Sequence, residues 1–127
     1  MKESYFQNKL KKELEDKGYL VWVMADAFTS GYPDIYVAKD SKSWWLELKV
    51  INAKPGDKTI HLDDRKSSGR GFERVQVIKM FQLNQKDIES YGVAYIPEAK
   101  KTIKIDIEEM DKTFTYDELL EFPEFDL

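Results

Sequence analysis

Cysteine is absent from the 127 residues, which excludes disulfides and thiolate metal sites and fits a reducing cytosol. Nowhere do about 18 apolar residues follow one another. The start, Met1-Lys2-Glu3-Ser4-Tyr5, lacks the apolar segment of a secretory signal. The chain is therefore expected to be neither exported by a standard signal nor membrane-spanning, and to work in the cytoplasm. Histidine occurs once, as His61, in a polar stretch where it is read as solvated. A surplus of positive charge is also missing: the formal net charge is -4, which at first sight argues against a polyanionic partner.

What is present qualifies that last exclusion. From Lys49 to Lys86 nine basic residues face four acidic ones, a local surplus of five, while the chain from Glu98 onward is strongly acidic. A polyanion approaching one face responds to local potential rather than to net charge. Apolar content is ordinary and aromatics are plentiful, so residues 1–127 are expected to fold as one domain around one core.

The stretch from 31 to 50 organises the rest. Gly31-Tyr32-Pro33-Asp34 leads into Ile35-Tyr36-Val37-Ala38-Lys39, a polar break Asp40-Ser41-Lys42-Ser43 follows, and then Trp44-Trp45-Leu46-Glu47-Leu48-Lys49-Val50. Two runs of β-branched and aromatic residues around a short polar break read as a hairpin. Side chains alternate along a strand, so Glu47 and Lys49 share one face while Leu46, Leu48 and Val50 share the other. Antiparallel pairing brings Asp34 within reach of Glu47. The result is a cluster of two carboxylates and one lysine, suited to a hard divalent cation that takes oxygen ligands and leaves its other positions to water and phosphate. Lys49 would orient or deprotonate water, or stabilise charge developing on phosphorus.

Pro33-Asp34 followed by Glu47-Leu48-Lys49 resembles the signature of the PD-(D/E)XK nucleases, in the Holliday-junction resolvase and VRR-NUC branch. The resemblance implies a restriction-endonuclease-like core (α-β-β-β-α-β), DNA phosphodiester hydrolysis with Mg²⁺ or Mn²⁺, DNA as partner and a homodimer. It also implies that Glu3, on the first helix, joins Asp34, Glu47 and the backbone at Leu48 around the metal. A glutamine at the start of the later helix completes such sites, and Gln82 and Gln85 are the candidates. With no zinc or DNA-reading module appended, a structure-selective nuclease of branched DNA, from a bacterial or phage-infected cell, is favoured over a sequence-specific one. A DNA-binding module without turnover, and a protein-interaction domain using the acidic tail, are the alternatives.

Along the chain, residues 3–17 read as an amphipathic helix with Tyr5, Phe6, Leu10 and Leu14 on one stripe, and residues 19–25 as a strand buried on both faces or nearly so. From 52 to 74 periodicity fails. Lys54, Lys58, Arg65, Lys66, Arg70 and Arg74 make this a basic, mobile loop able to contact a DNA backbone. Residues 75–78 read as a short strand or a lead into a helix over 80–90, with Asn84 as an alternative cap and Gly92 as the stop. Two strands follow, and Thr115 opens a short helix with a capping-box pattern. The expected fold is thus α/β, a mixed sheet flanked by helices. One strand and a short C-terminal helix are added to the core, and residues 113–127 form an acidic-aromatic extension that covers sheet surface or docks a protein partner.

Overall fold

The computed structural model describes residues 1–24, 32–65 and 71–127. In α1 (Glu3–Asp16), Phe6, Leu10 and Leu14 recur every fourth residue and bury one stripe, while polar residues, chiefly lysines and glutamates, occupy most of the rest. Tyr5, expected on that stripe, is 61% exposed; one residue before Phe6, it is turned about 100° from it. Gly18, at φ 92°, reverses the chain into β1 (Leu20–Val23).

The expected hairpin forms from β2 (Ile35–Lys39) and β3 (Lys42–Val50). Its turn is shorter than the polar break suggested. Asp40 and Ser41 take φ of 52° and 66°, the left-handed pair of a type I′ turn, whose twist matches that of the strands. Lys42 and Ser43 therefore already pair with Lys39 and Ala38.

The main sheet runs β1-β2-β3-β5-β6, where β5 is Glu89–Ile96 and β6 is Lys101–Ile105. Every neighbouring pair is antiparallel except β3 with β5. A parallel pair needs a crossover, and α2 (Arg74–Gln85) supplies it. The expected mixed α/β sheet is therefore present. On one face, α1 covers Val21, Ile35, Val37, Leu46, Leu48 and Val93. On the other, Met80 of α2 packs with Ala94, Ile96, Ile103 and Ile105.

Several expectations are corrected by this arrangement. The strand within 19–25 is an edge strand, not a doubly buried one: a helix covers Val21, whereas Leu20 and Trp22 are 49% and 55% exposed. The helix begins at Arg74, so of the two readings of residues 75–78, a short strand or a lead into the helix, the second holds. It ends at Gln85, where Asn84 stands in the last turn and does not cap the start. The Asn84 side chain accepts from the Ser90 N–H at 2.8 Å and donates to the Ser90 carbonyl at 3.2 Å, tying helix end to strand start. Gly92 stops nothing; it lies inside β5 opposite Glu47, where a Cβ would press on Phe72 and Met110.

Within the segment 52–74, where periodicity fails, Ala53, Leu62 and Phe72 are buried in the main core. Within it β4 (Ile60–His61) pairs with β7 (Thr113–Phe114). Asp63 bridges Phe72, and the Phe72 N–H donates to the Leu62 carbonyl at 2.7 Å. A Cβ on Gly71 would collide with that same carbonyl, so glycine is what lets the two arms meet. Thr115 caps α3 (Tyr116–Leu120) through a full capping box. Beyond it the tail follows the outer edge of β6, with Lys104 N–H donating to Pro123 at 2.8 Å and Phe125 N–H to Thr102 at 3.0 Å. Among the described residues no helix is long and apolar enough to cross a membrane.

Candidate active site

Ile35 pairs with Leu46, so one further antiparallel step sets Asp34 opposite Glu47. The Asp34 N–H donates to Glu47 Oε1 at 3.0 Å, and the Leu48 N–H donates to Asp34 Oδ2 at 2.8 Å. Each carboxyl is thereby oriented by the other strand's backbone. In a strand the N–H and C=O of one residue leave on the same edge, so the Leu48 carbonyl is directed to the side where Asp34 stands. The Met24 N–H, at the end of β1, fixes the Asp34 carbonyl at 2.8 Å.

Glu47 is held out of water, and Asp34 is half-buried beside it. Glu47 is 1% exposed, and burial, then the Asp34 charge beside it, push its carboxyl up to about 9, against the pull of Lys49. Burial also raises Asp34 above the ordinary carboxylate range, opposed by the Leu48 N–H, by the hydrogen bond with Glu47 and by Lys49. A buried carboxyl and a half-buried one side by side cannot both carry charge cheaply, so the proton stays on Glu47 and bonds Asp34. Lys49 follows two residues on along the same strand face. Its Nζ is 3.8 Å from Oε2 of Glu3, the first residue of α1. Asp34, Glu47, Lys49 and Glu3 are thus gathered in one row, with Glu3 tied in through Lys49.

A divalent cation fits this donor set. Asp34 and Glu47 are hard oxygen ligands whose mutual repulsion a cation would relieve in place of the proton, with the Leu48 carbonyl beside them. Among the described residues no three His, Asp or Glu side chains cluster as a metal cage. The arrangement suits a metal that keeps water and substrate oxygens in its shell.

Other expected residues lie apart. Gln82 and Gln85, exposed on the second half of α2, line a cleft of about 490 Å³ together with Tyr32, Pro33, Trp45 and Lys79. The glutamine near the actual start of α2 is Gln76, whose Nε2 donates to the Tyr32 carbonyl at 3.4 Å and whose Oε1 is buried without a protein partner among the described residues. Placing the helix start at Arg74 would have singled it out. Lys54, Lys58 and Arg74 are exposed. Arg65 is engaged within the fold, its Nη2 2.6 Å from Oδ2 of the buried Asp63. Gly31, Lys66 and Arg70 lie outside the described residues.

His61, read as solvated, is half-buried in β4. It lines a cleft of about 500 Å³ with Glu3, Lys49, Asn52 and Thr59, and its Nδ1 is enclosed without a protein partner among the described residues. The alternation Ile60-His61-Leu62 was the available signal, since it places His61 on the face opposite two apolar residues.

No protein-family model and no characterised protein sequence matches the chain. Its fold does have a match among solved structures. The Holliday junction resolvase Hjc of Archaeoglobus fulgidus, an archaeal hyperthermophile, is similar over 95% of this chain and 93% of its own, with a TM-score of 0.65 and 16% identity. At that identity the likeness is one of fold. The chain has a restriction-endonuclease-like fold, the fold that the resemblance of Pro33-Asp34 and Glu47-Leu48-Lys49 implied.

Proposed function

We propose that this protein is a divalent-metal-dependent endonuclease that hydrolyses DNA phosphodiester bonds, acting as a homodimer and favouring branched DNA. The observation that carries the reading is the cross-strand carboxyl pair: Asp34 and Glu47, oriented by each other's backbone at 3.0 and 2.8 Å, with Lys49 on the same face. A likeness in fold to a junction resolvase supports the choice of substrate. A buried carboxyl paired with a half-buried one destabilises a fold that has no use for them.

Asp34, Glu47 and the Leu48 carbonyl would hold Mg²⁺ or Mn²⁺. When bound, such an ion neutralises charge on the phosphate and lowers the pKa of coordinated water. The chain's own residues then divide the remaining work. Lys49 reaches the phosphate or the attacking water from the strand face it shares with Glu47, where its ammonium stabilises negative charge developing on phosphorus. Glu3 holds that amine in place at 3.8 Å. The exposed Lys54, Lys58 and Arg74 meet flanking phosphates, which positions the strand without reading its sequence.

The test is cleavage of labelled linear duplex, single-stranded and four-way DNA, with and without Mg²⁺ or Mn²⁺. Metal-dependent cutting, fastest on the four-way substrate and lost in Asp34→Ala and Glu47→Ala, is expected. Undiminished cutting by both variants, or binding of every DNA without any cutting, would end the reading.

A further inference from the structure

Trp45 stands two residues before Glu47 on the same face of β3 and is part of an aromatic row that leads away from the carboxyl pair. Trp22, Tyr36 and Trp45 are aligned by strand register. Their ring centroids are 5.7 and 5.0 Å apart, and Tyr32 continues the row 6.1 Å beyond Trp45. Trp22 and Tyr32 are 55% and 47% exposed. At its Tyr32 and Trp45 end the row forms one wall of the 490 Å³ cleft whose opposite wall is α2. That helix wall and the residue after it contribute the amides of Gln82 and Gln85 and the ammonium groups of Lys79 and Lys86, and among the described residues no acidic side chain lines the cleft.

We infer that this cleft receives one unpaired nucleotide of the DNA strand being cut, its base against Trp45 and Tyr32. The inference rests on the nuclease reading and adds to it the form of DNA recognised next to the reacting phosphate. Three properties point to a nucleotide rather than to an apolar partner. The wall is aromatic, and every base offers a face to stack, whatever the sequence. The opposite wall is cationic in a chain of net charge -4, which complements phosphate. The two amides each offer a donor and an acceptor for base edges. Position agrees as well: Pro33 lines the cleft and Asp34 follows it, while two residues of strand separate Trp45 from Glu47 by about 7 Å. A base in the cleft and its own phosphodiester at the carboxyl pair are within the reach of one nucleotide. Paired bases of a duplex cannot enter; an unpaired base at a branch point, gap or single-stranded overhang can.

The experiment is anisotropy of labelled oligonucleotides in EDTA, where binding is read without turnover, comparing a 15-nucleotide single strand and its blunt duplex. Trp45→Ala should weaken the single strand about tenfold or more and leave the duplex within about twofold, while Trp45→Phe keeps most of the affinity. Equal losses for both DNAs, or none for either, would overturn the inference. Sedimentation of the free protein decides against the other occupant: if Trp45→Ala dissociates a wild-type dimer, the row is a contact between copies and the inference fails. If no DNA is ever cut and yet single-strand affinity depends on Trp45 as described, the nuclease reading falls and the cleft stands.

Discussion

Glu47→Gln should make the metal-free protein more stable, and the size of the gain can be worked out. In the unfolded chain this carboxyl ionises near its ordinary value of 4.5, whereas in the folded protein burial and Asp34 delay ionisation to about 9. Between those pH values the folded state holds a proton that the unfolded state has lost. Stability therefore falls as pH rises, by about 1.4 kcal/mol per pH unit from this group alone. By pH 7 the accumulated cost is about 3 kcal/mol. Glutamine mimics the protonated carboxyl: its Oε1 can accept the Asp34 N–H, and its amide can donate to Asp34 as the carboxyl proton did. The variant should escape the whole penalty.

At about 2.1 cal/mol/K of unfolding entropy per residue, 127 residues convert that gain into roughly 10 °C of Tm. The assay is thermal unfolding in EDTA from pH 5 to 8.5, followed by circular dichroism. The two proteins should nearly coincide at the acid end and separate as pH rises. Adding Mg²⁺ should close the gap from the wild-type side, because only the wild type gains a ligand that binds the folded state. A variant equal to or less stable than wild type at pH 7 and above, without metal, would refute the account of Glu47 as a buried carboxyl retained for function at the expense of stability.

Cation binding should displace close to one proton at pH 7 and tighten about tenfold per pH unit from 6 to 8, as measured by calorimetry in buffers of different ionisation enthalpy. Lys49→Ala should lower turnover at saturating DNA by about 10²–10⁴-fold with little loss of affinity; the reverse split would make Lys49 an anchor only. Lys54→Gln with Lys58→Gln should flatten the slope of log affinity against log salt by about 0.9 for each duplex phosphate contact removed. Arg65→Gln should lower Tm and leave that slope alone, since its guanidinium is committed to Asp63. Gly71→Ala should cost about 1–3 kcal/mol in chemical denaturation, because its Cβ meets the Leu62 carbonyl rather than a side chain that can move away.

The geometry of the hairpin was legible because it depends on local rules: alternation placed Glu47 and Lys49 together, and antiparallel pairing supplied Asp34. Phe6, Leu10 and Leu14 were legible for the same reason, as a spacing of four is read directly from the chain. What escaped was decided by partners distant in sequence. Residues 60–61 look irregular until residues 113–114 arrive to pair with them. Only then does His61 come to line a cleft with Glu3 and Lys49. Residues 75–78 are β-branched enough to read as a strand, yet the crossover from β3 to a parallel β5 requires a helix there, and tertiary packing overrides propensity. Moving the helix start to Arg74 in turn shifts the glutamine near that start from Gln82 or Gln85 to Gln76.

The sheet order also resolves the charge problem posed by the sequence. From Glu98 onward ten acidic residues face four basic ones, enough to repel a polyanion if they surrounded the carboxyl pair. Those of the tail do not, because β6 and the tail along its outer edge lie at the far side of the sheet from β2, with β5 between β6 and β3, whereas Glu108 and Asp111 sit beside Arg74 of α2. Two strand spacings put β6 about 10 Å from β3, already beyond the Debye length of about 8 Å at physiological ionic strength. The described basic residues between Lys49 and Lys86 belong to the chain that leaves β3 and returns to β5, on the site's side of that divide. Raising salt should therefore weaken DNA binding by screening these cations more than it relieves repulsion from the tail. Replacing the tail acids Glu121, Glu124 and Asp126 with glutamine or asparagine should change DNA affinity at 150 mM salt by less than about twofold, and a tenfold gain would show that the divide is not electrostatic.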